Sequence, residues 1–286
     1  MSWTSIFGGA PHAGGDRRAH RGGRVADGMK PLTHSPTPVG PRTQPHPVIK
    51  KHYDRERDRR LFVTALFDEC ARYYDRVETF LALGSGQYYR RWTLERAGLR
   101  RGMTVLDVAT GTGHVAREAA RIVRPSGVVI GVDPSRGMLE EARKSATGPL
   151  VQGIGEALPF AAERFDFVSM GFALRHVSDL EAAFAEYRRV LKPGGRVLLL
   201  EITRPRSGLG RWLARIYLQR VLPLLVRITT GSGKPARLLH YYWDTIDECV
   251  PPATILEVLQ ASGFERVERR TWGGIMSEYL AARPAS

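Results

Sequence analysis

The apolar residues of this chain fall into short, strand-length blocks separated by stretches of helical spacing. Val105, Leu106 and Val108 make a continuous block, the pattern of a strand covered on both faces. Similar blocks predict strands near 104–108, 128–132, 149–152, 165–170 and 196–201, with helices between them, one starting at about Asp179. Ahead of the first strand, helices are predicted near 60–75 and 87–98. At the far end, Thr254 to Ser262 predicts a helix with Gly263 as its stop signal. Two further strands, Phe264 to Arg270 and Ile275 to Ala281, close the chain, the last expected to run antiparallel. Alternating strands and helices imply an α/β domain around a mostly parallel sheet of seven strands.

The candidate chemistry starts where the first strand ends. Asp107, Ala109, Gly111, Thr112 and Gly113 lie on or just after it, and the two glycines permit a tight turn that a ligand can approach closely. The second strand ends in Asp133, an acid placed to accept hydrogen bonds from both hydroxyls of a ribose. A nucleoside-containing cofactor follows. The turn alone leaves two candidates open, because Gly111 to Ala116 also fits the dinucleotide pattern G-x-G-x-x-G/A. S-adenosylmethionine (SAM) needs the same turn and acid but has no pyrophosphate to seat on the helix.

Composition narrows the field. At 286 residues and 43% hydrophobic content, the chain has enough material for one large α/β domain with additions. Cys70 and Cys249 are too few and too isolated for a disulfide framework or a zinc site, and the eight histidines form no ligand pattern, so no metal is expected. No apolar run is long enough to cross a bilayer and the N-terminus lacks the apolar core of a secretory signal, so a cytoplasmic location is expected. The net charge of +14 is partly local: the first 60 residues hold 12 Lys/Arg against 5 Asp/Glu. Residues 1–50, rich in Gly, Pro, His and Arg without periodicity, read as a disordered basic tail, leaving 51–286 as the folded domain.

A second basic region lies between Glu201 and Asp244, where eight basic residues meet no acidic one. Within it, Leu209 to Ile228 mixes Trp212, Leu213, Ile216 and other apolar residues with arginines, and Pro223 is expected to break or kink its helix. Two readings stand level. The segment is a helical lid, spanning about 203–252, packed over the core with snorkelling arginines, or residues 204–237 also touch an anionic membrane peripherally. Nucleic acid is not expected as a partner: no ladder of interleaved aromatic and basic residues is present, and Met170-Gly171-Phe172-Ala173 replaces the Asn/Asp-Pro-Pro-Tyr element of base-modifying methyltransferases.

Two resemblances sharpen the reading. Lys192-Pro193-Gly194-Gly195 before the strand 196–201, with Asp107, Asp133 and Glu156-Ala157-Leu158-Pro159-Phe160 in order, resembles the class I SAM-dependent methyltransferases. That resemblance implies their Rossmann-like fold, a doubly wound, mostly parallel seven-stranded sheet with an antiparallel last strand, and SAM as cofactor. More narrowly, Gly171 to Asp179 resembles the S-F-G-L-R-N-V-x-D element of the ubiquinone/menaquinone biosynthesis C-methyltransferases. Phe67 to Asp75 resembles that family's F-D-x-I-A-x-x-Y-D helix, and Leu199 to Pro205 its L-E-F-S-K-P stretch. The resemblance runs from about residue 60 to the end and implies C-methylation of an apolar, prenylated quinol. O- or N-methylation of a soluble small metabolite, NAD binding, and non-catalytic SAM binding remain the alternatives.

The resemblance places cofactor contacts on Thr112 and Asp133, which match the family. It places others on Ile154-Gly155, where the family often has Asp/Asn-Ala, and on Gly171 in place of a serine. His114 stands where an acid is usual, and His176 replaces the family's Asn beside the expected acceptor. Arg175 is expected to stabilise a phenolate, and His176 either accepts the phenolic proton or is a loop histidine bonded to backbone. Tyr74, His240 and Tyr241, with Tyr242 beside them, are the candidates to line the acceptor pocket.

Overall fold

The computed structural model describes residues 43–82 and 84–286. Its centre is a seven-stranded sheet in the order β3-β2-β1-β4-β5-β7-β6. The strands are β1 (Thr104–Val108), β2 (Val128–Asp133), β3 (Leu150–Gln152), β4 (Phe165–Gly171), β5 (Leu191–Ile202), β6 (Glu265–Trp272) and β7 (Met276–Ala282). β1 to β5 pair in parallel, and β7 runs antiparallel to both β5 and β6. The expected doubly wound α/β class is therefore the observed one. β1, β2 and β4 are nearly continuous apolar blocks because both faces are covered: Leu106, Ile130 and Val168 belong to one core cluster, Val105, Val129 and Phe167 to another. The chain reverses its winding between β1 and β4, so their carboxyl ends open the crevice where such sheets hold ligands.

Around the sheet lie α3 (His114–Val123), α4 (Arg136–Arg143), α5 (Leu180–Val190) and α9 (Pro252–Ala261), preceded by α1 (Glu56–Leu81) and α2 (Gly86–Arg96). The local chemistry explains where several begin. Ser135 Oγ accepts from Met138 N at 3.0 Å to cap α4, and Asp179 Oδ1 accepts from Ala182 N at 3.0 Å to cap α5.

Apart from shifts at element ends, such as the first helix reaching from Glu56 to Leu81 against an expected 60–75, three differences from the sequence reading stand out. β5 starts at Leu191 rather than 196: Phe165 pairs with Leu191 and Phe167 with Arg196, so Lys192 to Gly195 bulge out of the ladder. Pro193 has no N–H to donate there, and Gly194 takes φ +75°. The expected disordered tail 1–50 lies mostly outside the described residues, but its last part is packed. Thr43 O accepts from Leu180 N, Pro45 O accepts from Val250 N, and His46 and Ile49 are buried. These anchors lie more than 100 positions away in sequence, which is why no local pattern announced them.

The third difference is in the lid. It comprises α6 (Gly208–Ile216), a π turn (Tyr217–Val221), α7 (Leu222–Thr230) and α8 (Lys234–Glu248). Pro223 does not interrupt the helix, because it sits in the first turn of α7, directly after the wider π turn. Leu218, Leu222 and Val226 pack with Leu238, Tyr241, Tyr242 and Trp243 of α8 and with Val63 and Leu66 of α1. Among the described residues no helix is long and apolar enough to cross a membrane.

Candidate active site

Two clefts open at the carboxyl end of the sheet, and they meet at the β1/β4 switch point. The first, with about 810 Å³ of space, is lined by Ala109, Gly111, Asp133, Ser135, Ile154, Gly155, Gly171 and His176 among others. The second, with about 1310 Å³, is lined mainly by apolar groups from α1, α2, β6 and β7, with Glu78, Arg90, His114 and Arg175 among them. Tyr74, Ala109, Gly111, Gly171 and Phe172 border both. Ala109 (φ +51°) and Phe172 (φ +61°) hold left-handed backbone without being glycine, a strained conformation stored where the clefts join.

The first cleft rests on two buried carboxylates with different duties. Asp133 Oδ2 accepts from Gly111 N and its Oδ1 from Ser135 N, both at 2.8 Å, so the acid braces the glycine turn while lining the cleft. Burial, opposed by those two N–H donors and reinforced by nearby Asp107 and Asp68, pushes its pKa up to about 6. Asp107 lies beneath the turn and borders neither cleft. Its carboxylate accepts from Thr110 Oγ1 at 2.6 Å and from Ser169 Oγ at 2.7 Å, pinning the loop to β4. The contact expected at Asp107 is thus replaced by a supporting one, because Asp107, unlike Asp133, does not reach either cleft.

The turn itself is shaped for a ligand. Gly111 has φ +56°, and a Cβ built on it would meet nothing within 4 Å, leaving one side of the turn open. Thr112 borders the second cleft, while Gly113, at φ +87°, ends the turn behind both clefts at the start of α3. Gly155 and Gly171 are needed as glycines. A Cβ at the first would lie 2.7 Å from the Tyr187 hydroxyl oxygen, and one at the second 2.6 Å from Val115 Cγ2. The turn, the acid and the side-chain-free Gly155 together fit a nucleoside whose ribose lies against Asp133 and whose base lies against Ile154-Gly155.

The expected acceptor residues separate in the structure. Arg175 is buried and borders the second cleft, but its Nη1 pairs with Glu201 Oε1 and donates to Phe172 O at 3.0 Å. Its Nε donates to Thr245 Oγ1 at 3.2 Å, leaving Nη2 outside these bonds. His176 borders the first cleft, not the second, and stacks on Tyr241 with centroids 5.3 Å apart. Its Nδ1 lies 3.3 Å from Tyr241 Oη, a side-chain partner in place of the backbone one, and Nε2 has no partner. Burial, with the charge of Arg175 adding to it, holds its pKa well below the usual imidazole value. A neutral, weakly basic ring at the cofactor side is poorly suited to the proton-accepting role read from sequence.

Tyr74 borders both clefts as anticipated, whereas His240 is exposed on α8 and Tyr241 is wholly buried among His52, Phe62 and His176. Neither of these two reaches a cleft. Their neighbour Tyr242 does: its hydroxyl donates to Tyr74 Oη at 3.0 Å, and its ring lies 4.8 Å under the Arg175 guanidinium. On a helix, only one member of three successive residues can face a given wall. The run of aromatics was visible in the sequence, but its phase was not. Glu78, Tyr89, Arg90 and Phe172 were not anticipated. The ion pair of Glu78 with Arg90 joins α1 to α2, and nothing in either helix alone announces it.

Comparison with known proteins agrees with this geometry. A model of the ubiE/COQ5 methyltransferase family matches residues 53–283. The ubiquinone/menaquinone biosynthesis C-methyltransferase UbiE of Stutzerimonas stutzeri is 34% identical over 78% of this chain and 89% of its own. That of Shewanella halifaxensis is 35% identical over 72% and 83%. In fold, the chain is similar to a SAM-dependent methyltransferase from Thermotoga maritima described as a possible histamine N-methyltransferase. The two share 20% identity and a TM-score of 0.55, over 77% of this chain and 99% of that one. A SAM-dependent methyltransferase from Aquifex aeolicus gives 19% and 0.51, over 68% and 88%. With the family model covering nearly all the described residues, the chain belongs to the ubiE/COQ5 methyltransferase family and is a SAM-dependent methyltransferase.

Proposed function

We propose that the protein transfers a methyl group from SAM to a ring carbon of an apolar quinol, in the manner named for its UbiE relatives. The observation that carries this reading is the seam: a cleft with a ribose-type acid meets a larger, mainly apolar cleft at Tyr74, Gly171 and Phe172. Asp133, the open side of Gly111, and Gly155 are the residues that would hold SAM. When bound, SAM supplies a methyl group on a sulfonium, which a nucleophile must approach in line. The chain's own contribution is to position and to neutralise. Tyr74 and Phe172 wall the passage, and the Glu201 carboxylate balances Arg175, so the seam does not repel a sulfonium. Transfer to a ring carbon would release S-adenosylhomocysteine, and that carbon's hydrogen would leave as a proton to restore the aromatic ring. Ring-carbon attack is favoured when a neighbouring phenol gives its proton to water. The Arg175 guanidinium, fixed by Glu201 and Thr245, is the group at the acceptor wall suited to steady the resulting oxyanion.

Incubation with methyl-labelled SAM and an extract of demethylated prenyl quinols tests the reading. Label is expected on a ring carbon of the product. Label on oxygen or nitrogen would overturn C-methylation, and SAM binding without transfer would overturn catalysis on this acceptor class.

A further inference from the structure

We propose that one face of α6, the π turn and α7 docks on an anionic lipid surface. Seven large apolar side chains are exposed there: Leu209, Trp212, Leu213, Val221, Leu224, Leu225 and Ile228, with Leu209 at 69% and Ile228 at 71% exposure. They form two sets with the i, i+3, i+4, i+7 spacing of a single helical face. The first is Leu209, Trp212, Leu213 and Ile216; the second, Val221, Leu224, Leu225 and Ile228, repeats it twelve positions later.

In an unbroken α-helix twelve residues would swing the second set about 120° away from the first. The π turn at Tyr217–Val221 lies between them and accommodates one extra residue. The offset then falls to about 20°, and both sets lie along one continuous stripe. The same re-phasing aligns the flanks. Arg215 and Arg227, also twelve apart, share one side of the stripe, while buried Leu222 and Val226 turn the other side to the core.

The charge pattern selects the occupant. Arg206, Arg215, Arg220 and Arg227 form no ion pair among the described residues, whereas Arg211 pairs with Asp247 of α8. Residues 202–243 contain no carboxylate side chain. A second copy meeting this face symmetrically would bring arginine against arginine. Lipid phosphates would satisfy the arginines while the acyl boundary takes up the apolar stripe. The segment also packs beside the larger cleft. Tyr217 Oη donates to Phe80 O at 2.8 Å and Arg76 to Thr229 O at 3.1 Å, and neighbouring Val77, Glu78 and Leu81 of α1 line that cleft. Docking would therefore bring the acceptor cleft near the lipid, but it rests on the surface alone and is read without any acceptor.

Co-sedimentation of the full chain with vesicles tests it, comparing phosphatidylcholine alone with phosphatidylcholine containing phosphatidylglycerol. Binding to the anionic vesicles should be at least about tenfold stronger and should weaken with added salt. Leu209→Ser with Ile228→Ser should reduce it by roughly tenfold or more. Arg215→Gln with Arg227→Gln should reduce it about tenfold. Leu61→Ser, at an equally exposed apolar residue on α1, should leave it unchanged. Unaltered SAM affinity in each variant shows that the fold is retained. Equal sedimentation with both vesicle types, or no effect of the Leu209/Ile228 pair, would overturn the proposal. So would a dimer in solution that this pair converts to monomer.

Discussion

The two clefts share a seam, yet they are assembled in opposite ways. The cofactor cleft is built from turns at the ends of adjacent strands. Gly111 follows β1, Asp133 ends β2, Gly171 ends β4, and the backbone N–H groups of Gly111 and Ser135 hold Asp133 at 2.8 Å. The acceptor cleft draws on α1, α2, β5, β6, β7 and α8, and side chains hold it: Glu78 with Arg90, Tyr74 with Tyr242, and Arg175 with Glu201. A site fixed by backbone in sequential turns depends on a few positions, such as Gly111 and Asp133, and leaves the side chains beside them free to vary. A site fixed by side chains from distant elements can change its acceptor by changing those side chains, without disturbing the sheet. The departures from the family's pattern fall on both sides: His176 and Ile154-Gly155 border the cofactor cleft, His114 borders the acceptor cleft, and Gly171 lies at the seam.

The largest expected effect tests how much the acceptor wall depends on its charge pair. Arg175 and Glu201 are 1% and 2% exposed. Removing one partner leaves a buried charge unbalanced, at a cost of about 3–5 kcal/mol. Glu201→Gln should lower the unfolding free energy from denaturant titration by that order, and replacing both residues with leucine should recover most of the loss. A loss under about 1 kcal/mol would mean that the wall is held by packing instead.

On the cofactor side the corresponding test is Asp133→Ala, which removes the acceptor for both ribose hydroxyls. Charge-assisted bonds of this kind are worth about 1.5–3 kcal/mol, so SAM affinity measured by calorimetry should fall roughly 100-fold. The pH dependence has a definite sign. With the Asp133 pKa raised to about 6, the carboxylate that the ribose needs is lost as pH falls through that value. Affinity should be level above it and decline below. Stability of the ligand-free protein runs the other way. A folded pKa raised from 3.8 to about 6 favours folding most below the lower value, and that contribution is lost as pH rises through the upper one. If Asp133→Ala binds SAM with the same pH profile as the parent, the ribose assignment is wrong.

This contrast also explains what the sequence could reveal. The strand blocks, the glycine turn and Asp133 are local, and each was read at its place because apolar blocks, turn glycines and a strand-terminal acid carry their meaning within a few residues. Asp107 shows the limit even there: its position was legible, but its partners Thr110 and Ser169 belong to two different elements, so contact was inferred where support was found. The packed segment 43–50 depends on Leu180 and Val250, far along the chain, and the burial of His176 depends on Tyr241 of α8. The Glu78–Arg90 pair spans only twelve positions but needs the turn between two helices. The re-phasing at Tyr217–Val221 was hidden for another reason. A helical projection assumes 3.6 residues per turn throughout, and one wider turn makes Arg215 and Arg227, about 120° apart in such a projection, share a flank.

The smallest effect discriminates most finely within the acceptor side, between neighbours on α8. His240 is exposed and borders no cleft, so His240→Ala should leave kcat/KM within about twofold and stability within about 0.5 kcal/mol, as for ordinary surface substitutions. Tyr242→Phe keeps the ring beneath Arg175 but removes the hydroxyl that donates to Tyr74 Oη, one hydrogen bond worth about 0.5–1.5 kcal/mol. Because Tyr74 borders both clefts, losing that bond should loosen the passage between them rather than either cleft alone. A kcat reduced about three- to tenfold with unchanged SAM affinity is therefore expected. The opposite ranking, with His240→Ala the more damaging, would require α8 to turn by about 160° on its axis. Trp243 and Leu239, buried on the same helix, oppose such a rotation because their packing would have to be given up with it.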